Sequence, residues 1–406
     1  MSKSGNLISA CLMVKNEERN LDRCLRSIKE LVDEIVVVDT GSEDNTIEIA
    51  KRYNARIHQH DWANDFSLHR NQSISYAKGK WVLIIDADEE LVIDTHIPLP
   101  KIKQFFKDCK YNAAAIVVKD MQKDKNVLQF NSTRFFRKGR VKYEGIVHNQ
   151  PRIQGMALFC PFLSINHYGY DMTAEQKALK FQRTNSLLLK QVETGQVDQG
   201  LPYFYLCQLN ANNDYYEEAI KWGEKYLTHR KEANGHFNQS IYYTMIKQFM
   251  KVGNQEKAKE WLNLGLEDLP GDLDLTMGAL EYGVWTKDDE IVVGAARDFC
   301  RIFKSWQENP SLKGNRFVYS SRPEALAFAM FHLCSRLLQQ GAFHLEELIK
   351  LLGSIPFSFR NEMLSEIESK MSKTIFPIKF KSQMGISHQT TEDQQNVPVF
   401  TQRNIQ

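Results

Sequence analysis

The apolar positions of the first 120 residues fall into short unbroken runs, and each run ends on polar side chains. Leu7–Val14 is the first, broken by Lys15-Asn16-Glu17-Glu18. Ile35-Val36-Val37-Val38 is the centre of the second, which spans Glu34–Asp39 and ends on an acid. Ala55–His58 reads as a short third strand. The fourth, Trp81-Val82-Leu83-Ile84-Ile85, stops abruptly at Asp86-Ala87-Asp88-Glu89-Glu90. Runs of Val, Leu and Ile without polar alternation predict strands buried on both faces. Between them the period changes: Leu21, Leu25, Ile28 and Leu31 share one helical face within Asn20–Leu31, and Thr46–Tyr53 and Asn64–Ala77 also read as helices. Ala113–Val118 is a further strand, and Gln129–Arg137 alternates in part, with Arg134 and Arg137 around two phenylalanines. The order β-α-β-α-β-α-β with short links predicts an α/β domain, a parallel sheet covered by helices.

From Asp171 onward the β-branched runs disappear and helical patterns take over. Asp171-Met172-Thr173 opens a predicted linker helix, Ala174–Thr194. Helix pairs follow at Tyr203–Asn213 with Tyr215–Thr228, at Ser240–Val252 with Gln255–Asp268, and at Asp274–Trp285 with Asp288–Trp306. The second helices of the first two pairs align at an interval of about 39 residues, slightly longer than a tetratricopeptide period. Asn309–Arg322 reads as a loop, and Pro323–Leu338 and Phe343–Leu352 as further helices. The predicted division is therefore a sheet domain over 1–170, a linker helix over 171–200, a tetratricopeptide-like helical domain over 201–375 and a polar, Gln-rich tail over 376–406.

Composition narrows the function. The 406 residues carry 52 basic and 50 acidic side chains, a net charge of +2, so no chain-wide field for a polyanion is expected and nucleic acid is not an anticipated partner. No apolar run approaches bilayer-spanning length, and Met1–Asn6 lacks the apolar core of a signal peptide, which together predict a cytoplasmic protein without a membrane partner. The seven cysteines are scattered, odd in number and without CxxC spacing, so they read as reduced thiols in the core.

In an open α/β sheet, ligands bind where the strands end. Asn16, Glu17, Asp39, Asp86 and Asp88 all follow strand ends and converge on one edge of the predicted sheet. Crowded carboxylates raise each other's pKa, and a hard divalent cation such as Mg²⁺ or Mn²⁺ removes that cost. The chain has no GxGxxG and no Walker A loop, so dinucleotide oxidoreductases and P-loop enzymes are disfavoured. Without a phosphate-cradling loop, a bound diphosphate needs a metal for neutralisation, which points to Asp86 and Asp88.

Val14-Lys15-Asn16-Glu17-Glu18, Val38-Asp39-Thr40-Gly41-Ser42-Glu43-Asp44-Asn45-Thr46, Asn64-Asp65-Phe66-Ser67-Leu68-His69-Arg70-Asn71 and Ile85-Asp86-Ala87-Asp88 together resemble the family 2 glycosyltransferases. The resemblance covers about the first 170 residues and implies a GT-A fold using nucleotide-diphosphate sugars. It implies that Val14, Asn16, Glu17, Asp39, Asp65, Arg70 and Asp86 bind the donor. It also implies that Asp86 and Asp88 hold Mn²⁺ or Mg²⁺, with Asp88 at the reaction centre. His69 stands where family members often carry alanine. Val147-His148-Asn149-Gln150-Pro151 and Asn166-His167-Tyr168-Gly169-Tyr170 resemble a bacterial subgroup that includes the S-glycosyltransferases of sublancin-type peptides. That resemblance makes His148 the first candidate for a further metal ligand and His167 the second. Many relatives place Glu where Asn149 stands; asparagine cannot act as a base, which leaves Glu144 as the nearest candidate base, with Glu89 and Glu90 behind it.

The reading is thus a metal-dependent inverting glycosyltransferase, moving a hexose from a nucleotide-diphosphate sugar such as UDP-glucose to a peptide Cys or Ser. The subgroup resemblance further implies a role in bacteriocin glycosylation and a homodimer. Transfer to a glycan or lipid-linked acceptor is the nearest alternative. A nucleotidyltransferase would need a basic, glycine-containing loop after the first strand, and Lys15-Asn16-Glu17-Glu18-Arg19 is neither. An inactive scaffold for the helical repeats is disfavoured because both acids of the Asp86-Ala87-Asp88 motif are present.

Overall fold

The computed structural model describes residues 5–121, 128–169, 173–195, 200–229 and 237–309, with isolated positions between 325 and 336. The helix expected over Phe343–Leu352, most of the one expected over Pro323–Leu338, the loop from residue 310, the start of the linker helix at Asp171-Met172 and the polar tail lie outside the described residues. The chain divides into two compact units, Met1–Asn234 and Gly235–Gln406.

The first unit opens with β1 (Ile8–Val14), α1 (Leu21–Ile28), β2 (Glu34–Asp39), α2 (Thr46–Arg52), β3 (Arg56–Gln59), α3 (Phe66–Tyr76) and β4 (Trp81–Ile84). It continues with β5 (Glu89–Ile93), α4 (Leu99–Asp108), β6 (Ala113–Asp120), β7 (Leu128–Arg137), β8 (Val141–Glu144), β9 (Gln150–Ile153) and β10 (Ala157–His167). Eight strands form one sheet in the order β3-β2-β1-β4-β7-β6-β10-β5, and β8 and β9 form a separate hairpin. The first four strands pair in parallel, as the sequence pattern predicts.

The other half corrects the expectation of a wholly parallel sheet. β7 runs antiparallel between β4 and β6, and β5 runs antiparallel to β10 at the far edge. The cause is local: β7 follows β6 back along itself, with Asp120 opposite Leu128, and a strand that returns directly must be antiparallel. The partial alternation of Gln129–Arg137 is the sequence trace of that arrangement.

Each strand sends alternate side chains to opposite faces. Ala10, Leu12, Leu83 and Val37 pack with Leu21, Leu25 and Ile28 of α1, Ile49 of α2, and Ile102 and Phe106 of α4. Cys11, Val36, Val82 and Ile84 point the other way, onto Ile74 of α3, Phe136 and Tyr143. Trp81 is fully buried, donates from Nε1 to the Phe106 carbonyl at 2.8 Å and meets the Phe106 ring edge-on.

The first unit ends in three helices, α5 (Ala174–Glu193), α6 (Leu201–Ala211) and α7 (Tyr216–His229). A capping box fixes the start of α5, where Thr173 accepts from the Gln176 amide and Gln176 reaches back to the Thr173 amide. Tyr203 of α6 stacks on Trp222 of α7.

The second unit contains α8 (Asn238–Lys251), α9 (Gln255–Asp268), α10 (Leu273–Thr286) and α11 (Asp289–Glu308). Asn254, Asp272 and Asp288 cap α9, α10 and α11, each accepting from an amide three residues on. Gly265 lets α9 close on the Tyr242 side chain, where a Cβ would lie 3.1 Å away. The helices α7, α9 and α11 begin at residues 216, 255 and 289, spacings of 39 and 34, close to a tetratricopeptide period. Among the described residues no helix is long and apolar enough to cross a membrane.

Trp81→Ala removes the largest fully buried side chain of the sheet and strands the Phe106 carbonyl. Urea unfolding of the full chain is expected to show the variant about 3–5 kcal/mol less stable. A midpoint within error of the parent chain would show that β4 does not anchor this core.

Candidate functional site

The carboxyl ends of β1 and β2 are joined by a lattice of short hydrogen bonds. Asn16, at φ 56°, donates from its amide to Ser42 Oγ at 2.9 Å and accepts from the Glu43 amide at 2.8 Å. Val14 O accepts the Thr40 amide at 3.0 Å, and Thr46 Oγ1 accepts the Glu17 amide at 2.7 Å. Asp39 is buried and accepts the Gly41 and Ser42 amides of its own turn, both at 3.1 Å. Val14, Asn16 and Asp39 therefore shape the loops at this edge.

Asp86 and Glu89 lie at the end of β4 and are met by two cations from different elements. Arg70 of α3 donates from Nη2 to Asp86 Oδ1 at 3.0 Å. Arg134 of β7 donates from Nη2 to Glu89 Oε1 at 2.6 Å, with Nη1 3.9 Å from Asp86 Oδ2. Glu89 Oε2 also accepts the Asp86 amide at 2.9 Å. Burial raises the Asp86 pKa, but the two guanidiniums outweigh it and hold the carboxyl below the ordinary carboxylate range. For Glu89 burial wins, against Arg134 and with help from Asp86, and the carboxyl is pushed up to about 7. Glu17 is raised as well, first by burial and then, against a hydrogen bond from Asn20, by the charges of Asp88 and Asp86, so β1 and β4 do converge.

Asp88 has a different neighbour. Its Oδ2 is 3.4 Å from His167 Nε2, and His167 Nδ1 is 2.7 Å from Asp120 Oδ1. Strand pairing builds this triad, because His167 of β10 sits opposite Asp120 of β6 and Glu89 of β5. Burial lowers the His167 pKa, but the bonds to Asp88 and Asp120 outweigh it, and the ring is raised to about 9. Gly169 completes the arrangement: a Cβ there would press on Asp88 Oδ2 and lie 2.6 Å from His167 Nε2. Its φ is not in the left-handed region, so the glycine serves clearance between those two atoms.

These residues fit a divalent cation. Two ligand atoms 3.4 Å apart can share one ion, Asp120 fixes the tautomer of His167 from behind, and Gly169 leaves the intervening space open. Among the described residues no group of three His, Cys, Asp or Glu side chains is placed to hold a metal. Mg²⁺ is commonly held by one or two carboxylates and completed by water and substrate phosphates; here Asp88 is the carboxylate and His167 adds an imidazole.

The remaining candidates lie elsewhere. His148, at φ 50°, stacks on Tyr205 of α6 with ring centroids 4.2 Å apart, and the structure does not bring it into contact with Asp86 or Asp88. Surrounding protein, with the Lys180 ammonium, lowers its pKa. Asp65 caps α3, accepting from the Leu68 amide at 3.0 Å and from Ser67 Oγ at 2.8 Å. Glu144 is exposed on β8, and its Oε2 accepts from Arg152 Nε at 3.0 Å. His69 is buried, bridging the Ala63 amide and Gln72 Oε1. Glu90 accepts from the Tyr168 hydroxyl at 2.7 Å. Asp120 and the roles of Arg134 and Gly169 are not legible in the sequence pattern. The arginine in the middle of a partly alternating strand was the available signal.

Arg134→Met leaves Glu89 buried without its partner, a loss of about 3–5 kcal/mol in stability. Arg134→Met with Glu89→Met removes both charges and is expected to recover most of it in thermal unfolding. If the double variant is no more stable than the single, pairing is not what Arg134 supplies.

Residues 9–159 match the family model described as glycosyl transferase family 2. The chain is 29% identical over 237 residues to the glycosyltransferase SunS of Bacillus subtilis, covering 56% of this chain and 54% of SunS. It is 49% identical over 87 residues to a TPR repeat-containing protein of Synechococcus elongatus, covering 21% of this chain and 22% of that protein. The chain thus spans about half of one of these relatives and about a fifth of the other. Among solved structures, glucosyl-3-phosphoglycerate synthase from Mycobacterium tuberculosis, in complex with Mn²⁺, UDP and glucosyl-3-phosphoglycerate, matches at 24% identity. That match covers 29% of this chain and 45% of that one, with a TM-score of 0.24. Residues 9–159 of this chain are a family 2 glycosyltransferase domain.

Proposed function

We propose that the chain is a metal-dependent inverting glycosyltransferase that moves a hexose from a nucleotide-diphosphate sugar, UDP-glucose, to a peptide side chain. The observation that carries the reading is the Asp88–His167 pair facing the space that Gly169 leaves open, at the ligand-binding edge of a family 2 domain. In this reading Asp88 and His167 hold the cation and Asp120 orients His167. Asp86, held by Arg70 and Arg134, keeps its charge and faces the donor. This replaces His148 with His167 as the histidine ligand. A bound divalent cation supplies charge neutralisation of the departing nucleotide diphosphate. Val14, Asn16, Glu17 and Asp39 form the rim for the nucleotide, Asp39 acting through the turn it shapes.

The acceptor nucleophile forms its bond to the anomeric carbon as the bond from that carbon to the phosphate oxygen breaks, and the nucleophile's proton passes to solvent or a nearby base. Asn149 is not basic and Glu144 lies exposed beside Arg152, so an acceptor that ionises readily suits the site. A thiol, with a pKa near 8.5, does so far more readily than an alcohol. That supports cysteine over serine, in keeping with the resemblance to the sublancin-type subgroup. The helical repeats supply a surface for a peptide. The functional division proposed is transfer by residues 1–170, a linker helix over 171–200 and acceptor binding by the repeats. The same resemblance supports a homodimer.

Gly169→Ala fills the space between Asp88 and His167. Calorimetric titration with Mn²⁺ and a nucleotide diphosphate is expected to show metal-dependent binding lost in Gly169→Ala and in Asp88→Asn, with thermal midpoints near the parent chain's. Metal-dependent binding that survives in both variants would overturn this cation site.

Intact-mass measurement after incubating the chain with UDP-glucose, Mn²⁺ and paired Cys and Ser peptides tests the acceptor. One hexose on the cysteine peptide, at a rate at least about tenfold above serine, is the expected result. Equal rates would remove the argument from acceptor ionisation.

A further inference from the structure

Helix α5 begins beyond the stretch that matches the family model, yet Lys180 on it lies within electrostatic reach of Asp88 and Arg183 covers Phe66 of α3. Its path is marked at two points. The Gln191 amide lies 3.6 Å from where a Cβ on Gly145, in the β8–β9 hairpin, would be. About two turns earlier the Arg183 guanidinium covers the Phe66 ring, 5.6 Å from its centroid, at the first residue of α3. Lys180 stands three residues before Arg183, on the same stripe of the helix. It comes within electrostatic reach of Asp88, Arg183 and His148. The helix therefore runs from the hairpin past α3, with Lys180 at its Asp88 end.

The cations that meet the acids of the site directly are already engaged. Arg70 is engaged by Asp86, Arg134 by Glu89 and Asp86, and His167 by Asp88 and Asp120. Among the described residues neither Lys180 nor Arg183 forms an ion pair with a carboxylate, and both side chains are open to solvent. Two like charges one turn apart repel each other, and an anion bound beside both relieves that repulsion. The donor reading above requires such an anion next to Asp88. A nucleotide diphosphate gains negative charge as it departs, so cations fixed beside it favour the transition state over the ground state.

We propose that Lys180 and Arg183 form a diphosphate-binding subsite on α5, which completes the donor site from outside the family 2 domain. The inference rests on the reading that the chain uses a nucleotide-diphosphate donor. It makes the linker helix a part of the donor site, in addition to its place between the sheet and the repeats. Removal of the helical part would then weaken donor binding itself.

The test is calorimetry on the full chain with Mn²⁺ and UDP, GDP, ADP, CDP or dTDP, comparing Lys180→Met, Arg183→Met and Lys180→Arg with the parent. For the diphosphate that binds, each Met variant is expected to lose about tenfold in affinity, the size of a lost charge-assisted hydrogen bond. The matching nucleoside should bind all of them equally. Lys180→Arg should restore most of the loss, and raising the salt concentration should weaken the parent more than the variants. Parent and Met variants with the same diphosphate affinity at low salt would overturn the subsite and leave the donor reading standing. A parent chain that binds none of the five diphosphates would overturn the donor reading and the subsite with it.

Discussion

Arg70 and Arg134 bring two guanidiniums from separate elements against Asp86 and Glu89 at the end of β4. Both arginine side chains are largely buried, and Glu89 is only 2% exposed. Without them the acidic turn would carry uncompensated charge in a poorly solvated place, which is among the costliest defects a fold can hold. With them, the turn between β4 and β5 is pinned from both sides, from α3 and from β7. The stability of the sheet edge and the charge of the site thus rest on the same four side chains.

That arrangement divides the labour between two acids that look equivalent in sequence. Asp86 is spent on arginines and stays ionised, while Asp88, two residues on, meets His167 instead. A buried carboxylate, Asp120, stands behind the ring and orients it, so Nε2 faces Asp88. Gly169 then passes close enough to both that any larger residue would fill the gap. The site thus holds one acid paired with cations and one beside a histidine, rather than two acids in the same surroundings.

Helices α5 and α6 are joined to the β8–β9 hairpin by ring stacking and small side-chain contacts. Tyr205 of α6 packs on His148, Gln150 bonds to the Tyr205 hydroxyl at 3.2 Å, and Gln191 of α5 meets Gly145. His148 sits in the left-handed region, a conformation a histidine adopts at a cost that the stack with Tyr205 offsets. Its part in the first unit is to fasten the β8–β9 hairpin to the helices.

The local pattern alone was enough for much of this chain. Unbroken Val and Ile runs marked β1, β2 and β4, because a strand covered on both faces has no polar position to spare. Apolar spacing marked α5 to α11 to within a few residues, because each of these helices buries a stripe of itself. The site was legible as far as the chain is continuous: Asp86 and Asp88 follow one strand and announce themselves together. What the sequence could not say was which distant residues would stand opposite them: the resemblance puts His148 ahead of His167 and offers nothing on Arg134 or Asp120. His167 meets Asp88 because β10 pairs with β6 and β5 across the sheet, and Arg134 meets Glu89 because β7 turns back beside β4. β5 itself was invisible, since five residues beginning with two acids carry no strand pattern until β10 supplies their partner. Strand pairing is a long-range choice made by the whole sheet, so the partners of the acids, and with them the chemistry of the site, were decided only by the tertiary structure.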